Sequence, residues 1–390
     1  MPPLLHCAVC GNAFGEPLYR SGGDKSLTSL CRIHPAETRV FACGSCSHLQ
    51  TAALDDVDGY YATEYDILVD SEQEDQIYDV RDGVPVYRTE HQVRVLLDTL
   101  PARGGALALL DHGCAKSATI RALRDSRPDV VAHAFDVSDR YVPFWERFIA
   151  PGNWAVDRIP TAWDARFDVV TSFFSLEHIP RVAATMAEIA SLLKPGGVFH
   201  CIVPDVFGNR ADFIVVDHCN HFTAPSLRLL AERAGLRVRV IDAEVHRGAL
   251  VLVAEKPLDG RATPAAPDAM DVRTALERLG AIATYWRDIA SRIRAFEASL
   301  GDDEPVAIYG AGFYGALIAA NLANPGRVAC HLDQNPFLAG KQLDGRPILA
   351  PERLPDRVGI LLVGLNPAHA RSIIAGIPSL AERGLRYFYL

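Results

Sequence analysis

No stretch of this sequence reaches the ~18 consecutive apolar residues of a membrane span, so no helical membrane segment is expected. The start, Met1-Pro2-Pro3-Leu4-Leu5-His6-Cys7, lacks the basic residues and long apolar core of a signal peptide, which points to the cytoplasm. Basic residues are in deficit: 39 Lys and Arg against 48 Asp and Glu leave a formal charge of -9. A sequence-independent nucleic-acid binder needs the opposite balance, although a local basic pocket for a phosphate stays open. There is no short-period repeat. The nine cysteines do not read as a secreted disulfide scaffold, because five of them (Cys31, Cys114, Cys201, Cys219 and Cys330) are scattered along the chain.

What is present is ordinary globular material, 49% hydrophobic and 22% charged, and 390 residues suggest two or three domains. Residues 1–55 are rich in Cys and Gly. Residues 56–256 begin with a segment of tyrosines and acids that ends in a helix at Arg88–Leu100. Short apolar runs then alternate with helical patterns: Ala106–Asp111, Val130–Asp136, Phe167–Phe173, Gly197–Val203, Leu236–Asp242 and Ala249–Glu255. That rhythm predicts an α/β fold, a mostly parallel Rossmann-like sheet with helices on both faces. Residues 257–300 hold a Pro/Ala/Gly linker and then a helix from Asp271 to about Ser299, with apolar residues at three- and four-residue spacing. Residues 301–390 open a second Rossmann-like unit at Val306.

Cys7-x-x-Cys10 and Cys43-x-x-Cys46 each present two thiolates to one point. Together they offer the tetrahedral sulfur set that zinc prefers, and four thiolates leave no open position, so the zinc is expected to be structural. Gly11 and Gly44 supply tight turns after a ligand; Cys31 and His34 are nearby alternative ligands.

Leu109-Leu110-Asp111-His112-Gly113-Cys114-Ala115-Lys116-Ser117 follows a strand and opens a helix. Small residues let the backbone approach a ligand, and a helix N-terminus offers unpaired N–H groups. Asp136, at the end of the next strand, can accept hydrogen bonds from ribose hydroxyls. Asp111 would repel a pyrophosphate but attract a sulfonium and an amino group. Ala115 and Ser117 stand where a dinucleotide loop commonly has glycine. With the downstream FDVVTSFFSLEHIPR and LLKPGGVFHCIVPD segments, the sequence resembles the class I S-adenosylmethionine-dependent methyltransferases. The resemblance implies that Asp111 and Gly113, with Cys114 and Ala115 in the same loop, hold the methionine end of the cofactor. It implies that Asp136 holds the ribose, that Asp157 lies near the adenine and that Phe173 to His178 wall the pocket.

The order of parts further resembles the zinc-containing sugar C-methyltransferases of deoxysugar biosynthesis. That resemblance implies a nucleotide-linked 4-keto sugar as the small-molecule acceptor. In Val215-Val216-Asp217-His218-Cys219-Asn220-His221-Phe222-Thr223, His218 matches that family's histidine base. Asp217 replaces a Glu, Val215 a Tyr, and His221 falls on an aromatic position. A histidine titrating near neutrality suits removal of a proton next to a ketone. His178 is a secondary catalytic candidate, and Asn220 and His221 are candidate substrate contacts. The resemblance also implies that the tyrosine-rich segment supplies a catalytic tyrosine, Tyr65 or Tyr61, with Tyr61 the candidate at the substrate. Thr223 is a natural N-cap for a helix over Ala224–Ala234.

Gly310-x-Gly312-x-x-Gly315 with Asp333 is a dinucleotide fingerprint. The resemblance instead implies a substrate diphosphate there, with Tyr314 among the contacts. Other readings are an O- or N-methyltransferase of another metabolite or glycan precursor, an NAD-dependent oxidoreductase, and a non-catalytic zinc-stabilised binding protein. The second lacks a catalytic Tyr-x-x-x-Lys pair. A monomer is the default expectation.

Overall fold

Strands and helices alternate through the middle of the chain because apolar runs of strand length are punctuated by helical segments. Helix α1 (Arg88–Leu97) is followed by β1 (Leu107–His112), α2 (Ala118–Ser126), β2 (Val130–Asp136), β3 (Trp154–Val156) and β4 (Phe167–Phe173). Then come α3 (Val182–Leu192), β5 (Leu193–Pro204), α4 (Ala224–Arg233), β6 (Arg237–Asp242) and β7 (Ala249–Glu255). The computed structural model describes residues 5–52, 60, 71–81, 84–102, 104–260, 262–301 and 304–390.

The seven strands form one sheet in the order β3-β2-β1-β4-β5-β7-β6. Only β7 runs against the rest. The chain reverses its winding between β1 and β4, and ligands of such sheets bind beyond the carboxyl ends of the strands at that point. Alternation along each strand feeds two cores. Leu109 and Val169 pack with Ile120, Leu123 and Trp145 on one face. Leu110 and Val170 pack with Met186, Phe199 and Leu230 on the other.

Helix α4 starts where expected: Ser226 N donates to Thr223 Oγ1 at 3.4 Å, and Thr223 N donates to Ser226 Oγ at 3.0 Å. This reciprocal cap satisfies two N–H groups that the helix leaves unpaired.

The chain falls into two units: 1–17, 40–212 and 218–278 in the first, and 18–39, 213–217 and 279–390 in the second. Helix α5 (Ala269–Ala298) spans the boundary in sequence. In the second unit a six-stranded sheet is built from β8 (Val306–Tyr309), β9 (Val328–Leu332), β10 (Gln342–Leu343), β11 (Arg346–Leu349), β12 (Ile360–Val363) and β13 (Arg386–Tyr389). Its order is β10-β11-β9-β8-β12-β13, with β10 alone antiparallel to its neighbour; α6 (Phe313–Asn321) follows β8. Among the described residues no helix is long and apolar enough to cross a membrane.

Candidate functional site

The loop after β1 has an alternating left-handed backbone: Gly113 at φ 66°, Ala115 at 45° and Ser117 at 51°. Gly113 is obligatory, because a Cβ there would lie 2.0 Å from Ser175 Oγ. Ala115 and Ser117 adopt the same conformation at a cost of about 1–2 kcal/mol each. Named contacts offset that cost. Ala115 N donates to Asp136 Oδ2 at 2.8 Å, and Trp145 Nε1 donates to the Ala115 carbonyl at 2.7 Å. Ser117 Oγ donates to Asp111 Oδ2 at 2.6 Å, a contact glycine could not make.

Asp111 is 2% exposed, and Thr171 Oγ1 donates to its other oxygen at 2.9 Å. Burial pushes its carboxyl up to about 7 despite the two hydroxyls. Asp136 Oδ1 accepts from Ser138 N at 3.1 Å, and burial raises this carboxyl too. Cys114 Sγ lies 3.5 Å from the Ala115 carbonyl. Lys116 ties the loop to an earlier segment, donating to the carbonyls of Ser71 at 2.9 Å and Glu74 at 2.8 Å. Asp157 also has left-handed backbone (φ 65°), and its N–H reaches the Asp136 carbonyl at 3.2 Å. Its side chain is largely exposed, beside Arg158. Phe173 ends β4, half-buried and tilted against His200.

A second polar group gathers around His218. Nδ1 of His218 lies 2.6 Å from Asp212 Oδ1, and Nδ1 of His221 lies 3.1 Å from Asp212 Oδ2. Burial opposes ionisation of Asp212, but His221 and His218 outweigh it and hold the carboxyl well below the usual range. A carboxylate accepts, so both imidazoles carry their proton on Nδ1 when neutral. The ring of His178 stands edge-on to His218 at 4.6 Å between centroids. Glu177 is buried in the 3₁₀ turn after β4, and one ligand atom each of Glu177, His178 and His218 lies within 4.8 Å of the others.

Several expected site residues sit differently. Asp217 holds Ser29, accepting from its N–H and its hydroxyl, each at 2.6 Å. The carboxylate bonded to His218 is instead Asp212, which sequence reasoning missed; its one signal is an isolated acid in the apolar run Ala211–Val216. His221 is fully buried, with Nε2 on Thr51 Oγ1 at 2.9 Å, so it positions Asp212 rather than a substrate. Asn220 Nδ2 donates to the carbonyls of Leu176 (3.1 Å) and Ile179 (2.7 Å), and its Oδ1 lies 3.1 Å from His48 Nε2. It therefore clamps the turn that carries Glu177 and His178. Tyr61 and Tyr65 lie outside the described residues.

The four cysteines converge, with Cys7 and Cys46 sulfurs 3.7 Å apart and those of Cys10 and Cys43 3.4 Å apart. Metal–sulfur bonds of about 2.3 Å in a tetrahedron place sulfurs under about 4 Å apart, so the set fits zinc. The pairs are built alike: Gly11 N donates to the Cys7 carbonyl at 2.8 Å, and Ser47 N to the Cys43 carbonyl at 2.9 Å. Gly11 (φ 82°) and Ser47 (φ 55°) take the left-handed position, so in the second turn that place belongs to Ser47 and not to Gly44. The cluster is complete without Cys31 or His34.

In the second unit the glycine loop has distinct duties at each position. Gly310 (φ 98°) turns tightly, and a Cβ there would lie 2.3 Å from the Gly364 carbonyl oxygen. A Cβ on Gly315 would meet the Gly310 carbonyl oxygen at 1.9 Å, whereas Gly312 faces open space at the start of α6. Asp333 repeats the wiring of Asp136: Oδ2 accepts from Ala311 N at 2.9 Å and Oδ1 from Asn335 N at 2.8 Å. Tyr314 is buried, stacked near Trp286 at 6.4 Å, and packs rather than projecting to a ligand.

No curated protein matches the sequence. Among solved structures, the complex between the Haloferax volcanii Trm112 methyltransferase activator and a methyltransferase is 22% identical, covering 44% of this chain and 91% of that one, TM-score 0.38. An S-adenosylmethionine-dependent methyltransferase from Mesorhizobium loti is 16% identical over 42% of this chain and 97% of its own, TM-score 0.35. The Burkholderia thailandensis 1,6-didemethyltoxoflavin-N1-methyltransferase, with 1,6-didemethyltoxoflavin and S-adenosylhomocysteine bound, is 19% identical over 43% and 78%, TM-score 0.33. Residues 87–240 match the family model described as a methyltransferase domain, and this central segment is a methyltransferase domain.

Proposed function

We propose that this chain methylates a carbon next to the ketone of a nucleotide-linked sugar, with His218 as the base. The observation that carries the reading is the His218–Asp212 pair, 2.6 Å between Nδ1 and Oδ1. With the Nδ1 proton on a buried carboxylate, Nε2 is the basic nitrogen, and Asp212 stabilises the imidazolium that forms on proton uptake. His221 fixes the far oxygen of Asp212, and Asn220 fixes the turn that brings His178 to His218.

S-Adenosylmethionine supplies an electrophilic methyl group on a sulfonium. The donor set suits it: Asp111 for the cationic methionine end and Asp136 for the ribose, with Gly113, Cys114 and Ala115 lining the loop and Asp157 and Phe173 at its margins. A pyrophosphate would meet Asp111 unfavourably. The four N-terminal cysteines hold a structural zinc. For the loop of Gly310, Gly312 and Asp333, a diphosphate-bearing ligand is proposed: the helix N-terminus and the open space at Gly312 suit one.

The test is transfer of a labelled methyl group to a panel of nucleotide-linked keto sugars, with NMR of the product. A new methyl on the carbon beside the ketone supports the reading. Cofactor binding with transfer only to oxygen or nitrogen, or to no keto sugar, refutes it.

A further inference from the structure

Glu177 is the one acidic group of the His218 cluster that the scheme above leaves without work. It is 1% exposed, and its Oε2 has no hydrogen-bond partner among the described residues. An unpaired buried carboxylate oxygen is costly, and in a native structure it calls for an explanation. The turn that carries Glu177 is not loosely placed. Asn220 holds the carbonyls on either side of it, of Leu176 and Ile179, and Cys219 Sγ lies 3.5 Å from the Glu177 carbonyl. The position is therefore built, while the side-chain oxygen is left unspent.

Resting on the proposed C-methylation, we propose that Glu177 is a neutral carboxylic acid that donates a hydrogen bond to the ketone oxygen of the acceptor while His218 removes the neighbouring proton. A ketone oxygen and the hydrogen to be removed sit on carbons joined by one carbon–carbon bond. One ring nitrogen of His218 and one carboxyl oxygen of Glu177 lie within 4.8 Å of each other, a separation that a ketone and its adjoining C–H can bridge when each makes the usual contact of about 2.6–3.2 Å. The electrons balance as follows. His218 Nε2 takes the proton, the C–H pair becomes the C=C bond, and the carbonyl π pair moves onto the oxygen that Glu177 holds. When the carbon takes the methyl group, the S–CH₃ pair stays on sulfur and the carbonyl re-forms. The proton leaves His218 for solvent, and Glu177 ends as it began.

The groups facing Glu177 agree with a neutral form. Burial is the largest influence and pushes the carboxyl up to about 8. Asp212 raises it further, and His218 and Arg88 of α1 pull it down. Cys201 of β5 is a thiol held well above its ordinary value by burial, and His178 is the adjoining residue.

The test uses the full chain. Difference infrared spectra between wild type and Glu177→Gln read the carbonyl band of a neutral acid without any acceptor. The band is expected at pH 7 and is lost above about pH 8. Its absence at pH 7 overturns the proposal even if keto sugars are methylated. With a keto-sugar acceptor, Glu177→Gln should keep transfer within about tenfold and lose the alkaline fall in the pH profile. Glu177→Ala should lose about 10²–10³-fold, as for loss of one oxyanion donor. An inactive Gln variant that still binds S-adenosylhomocysteine would show that a charged carboxylate is needed, which also overturns the proposal. If no keto sugar accepts a methyl group, the sugar reading fails, and with it the role assigned to Glu177, whatever the infrared band shows.

Discussion

Asp111→Asn separates the stability of the fold from its capture of the cofactor. Asp111 is buried against Ser117 and Thr171, and its carboxyl is moved from an ordinary value of 3.8 to about 7. The folded state thus binds this proton more tightly than the unfolded chain does. Its contribution to stability is fully present below the ordinary value and is lost as pH rises from about 4 through about 7, staying lost above. At about 1.36 kcal/mol per pH unit, ionised Asp111 costs the ligand-free protein roughly 4 kcal/mol. Asparagine is isosteric with the neutral acid, and both hydroxyls can turn to meet its amide. The variant should unfold at higher urea than wild type at pH 8, by about 2–4 kcal/mol, and at nearly the same urea at pH 4. Cofactor binding should move the other way. The cationic amino group of S-adenosylmethionine calls for the ionised acid, so wild-type affinity should rise with pH up to about 7 and then level. In the variant it should fall by at least about 30-fold, the loss expected of a buried charge pair, and become insensitive to pH. Urea denaturation and titration calorimetry between pH 4 and 8 read both effects. An increment in stability equal at pH 4 and pH 8, or a wild-type affinity flat across that range, would refute the reasoning.

The two strained residues of the cofactor loop should respond oppositely to glycine. Ala115→Gly relieves a left-handed backbone without losing a side-chain bond and should stabilise by about 1 kcal/mol in urea denaturation. Ser117→Gly also removes the hydroxyl on Asp111, so it should come out neutral to destabilising, and a gain equal to that of Ala115→Gly would contradict the role assigned to that bond. Asp212→Asn should leave S-adenosylhomocysteine binding intact and cut transfer by about 10³–10⁴-fold, because the amide favours the wrong tautomer of His218. Purified protein should carry one zinc per chain by elemental analysis; Cys10→Ser should lose it and lower the melting temperature, whereas Cys31→Ser should not.

Strand positions in the central sheet were legible because the apolar runs have strand length: Val130–Asp136, Phe167–Phe173 and Ala249–Glu255 match at both ends. β3 was not, since Trp154–Val156 is only three residues long and is made a strand by pairing with Ala134–Asp136. α1 stops at Leu97 rather than Leu100: Thr99 donates both its N–H (3.0 Å) and its hydroxyl (2.8 Å) to the Leu96 carbonyl in a closing turn, and Pro101 disfavours helical backbone at Leu100. In the site, residue types were legible and directions were not. His221 and Asn220 have the chemistry of substrate contacts, yet each spends its polar atoms internally, on Asp212 and Thr51 or on Leu176, Ile179 and His48. Asp212 escaped notice because its bond to His218 is formed across an irregular turn that no periodicity marks.

The most direct test of a base-generated carbanion is hydrogen exchange. A nucleotide-linked keto sugar is incubated in heavy water with the protein and S-adenosylhomocysteine, so that no methyl group can move, and NMR follows the hydrogen beside the ketone. The account predicts exchange with wild type that falls by at least about 10²-fold in His218→Ala, the usual contribution of a positioned base. No exchange with wild type above the protein-free rate, or equal exchange with His218→Ala, would contradict it.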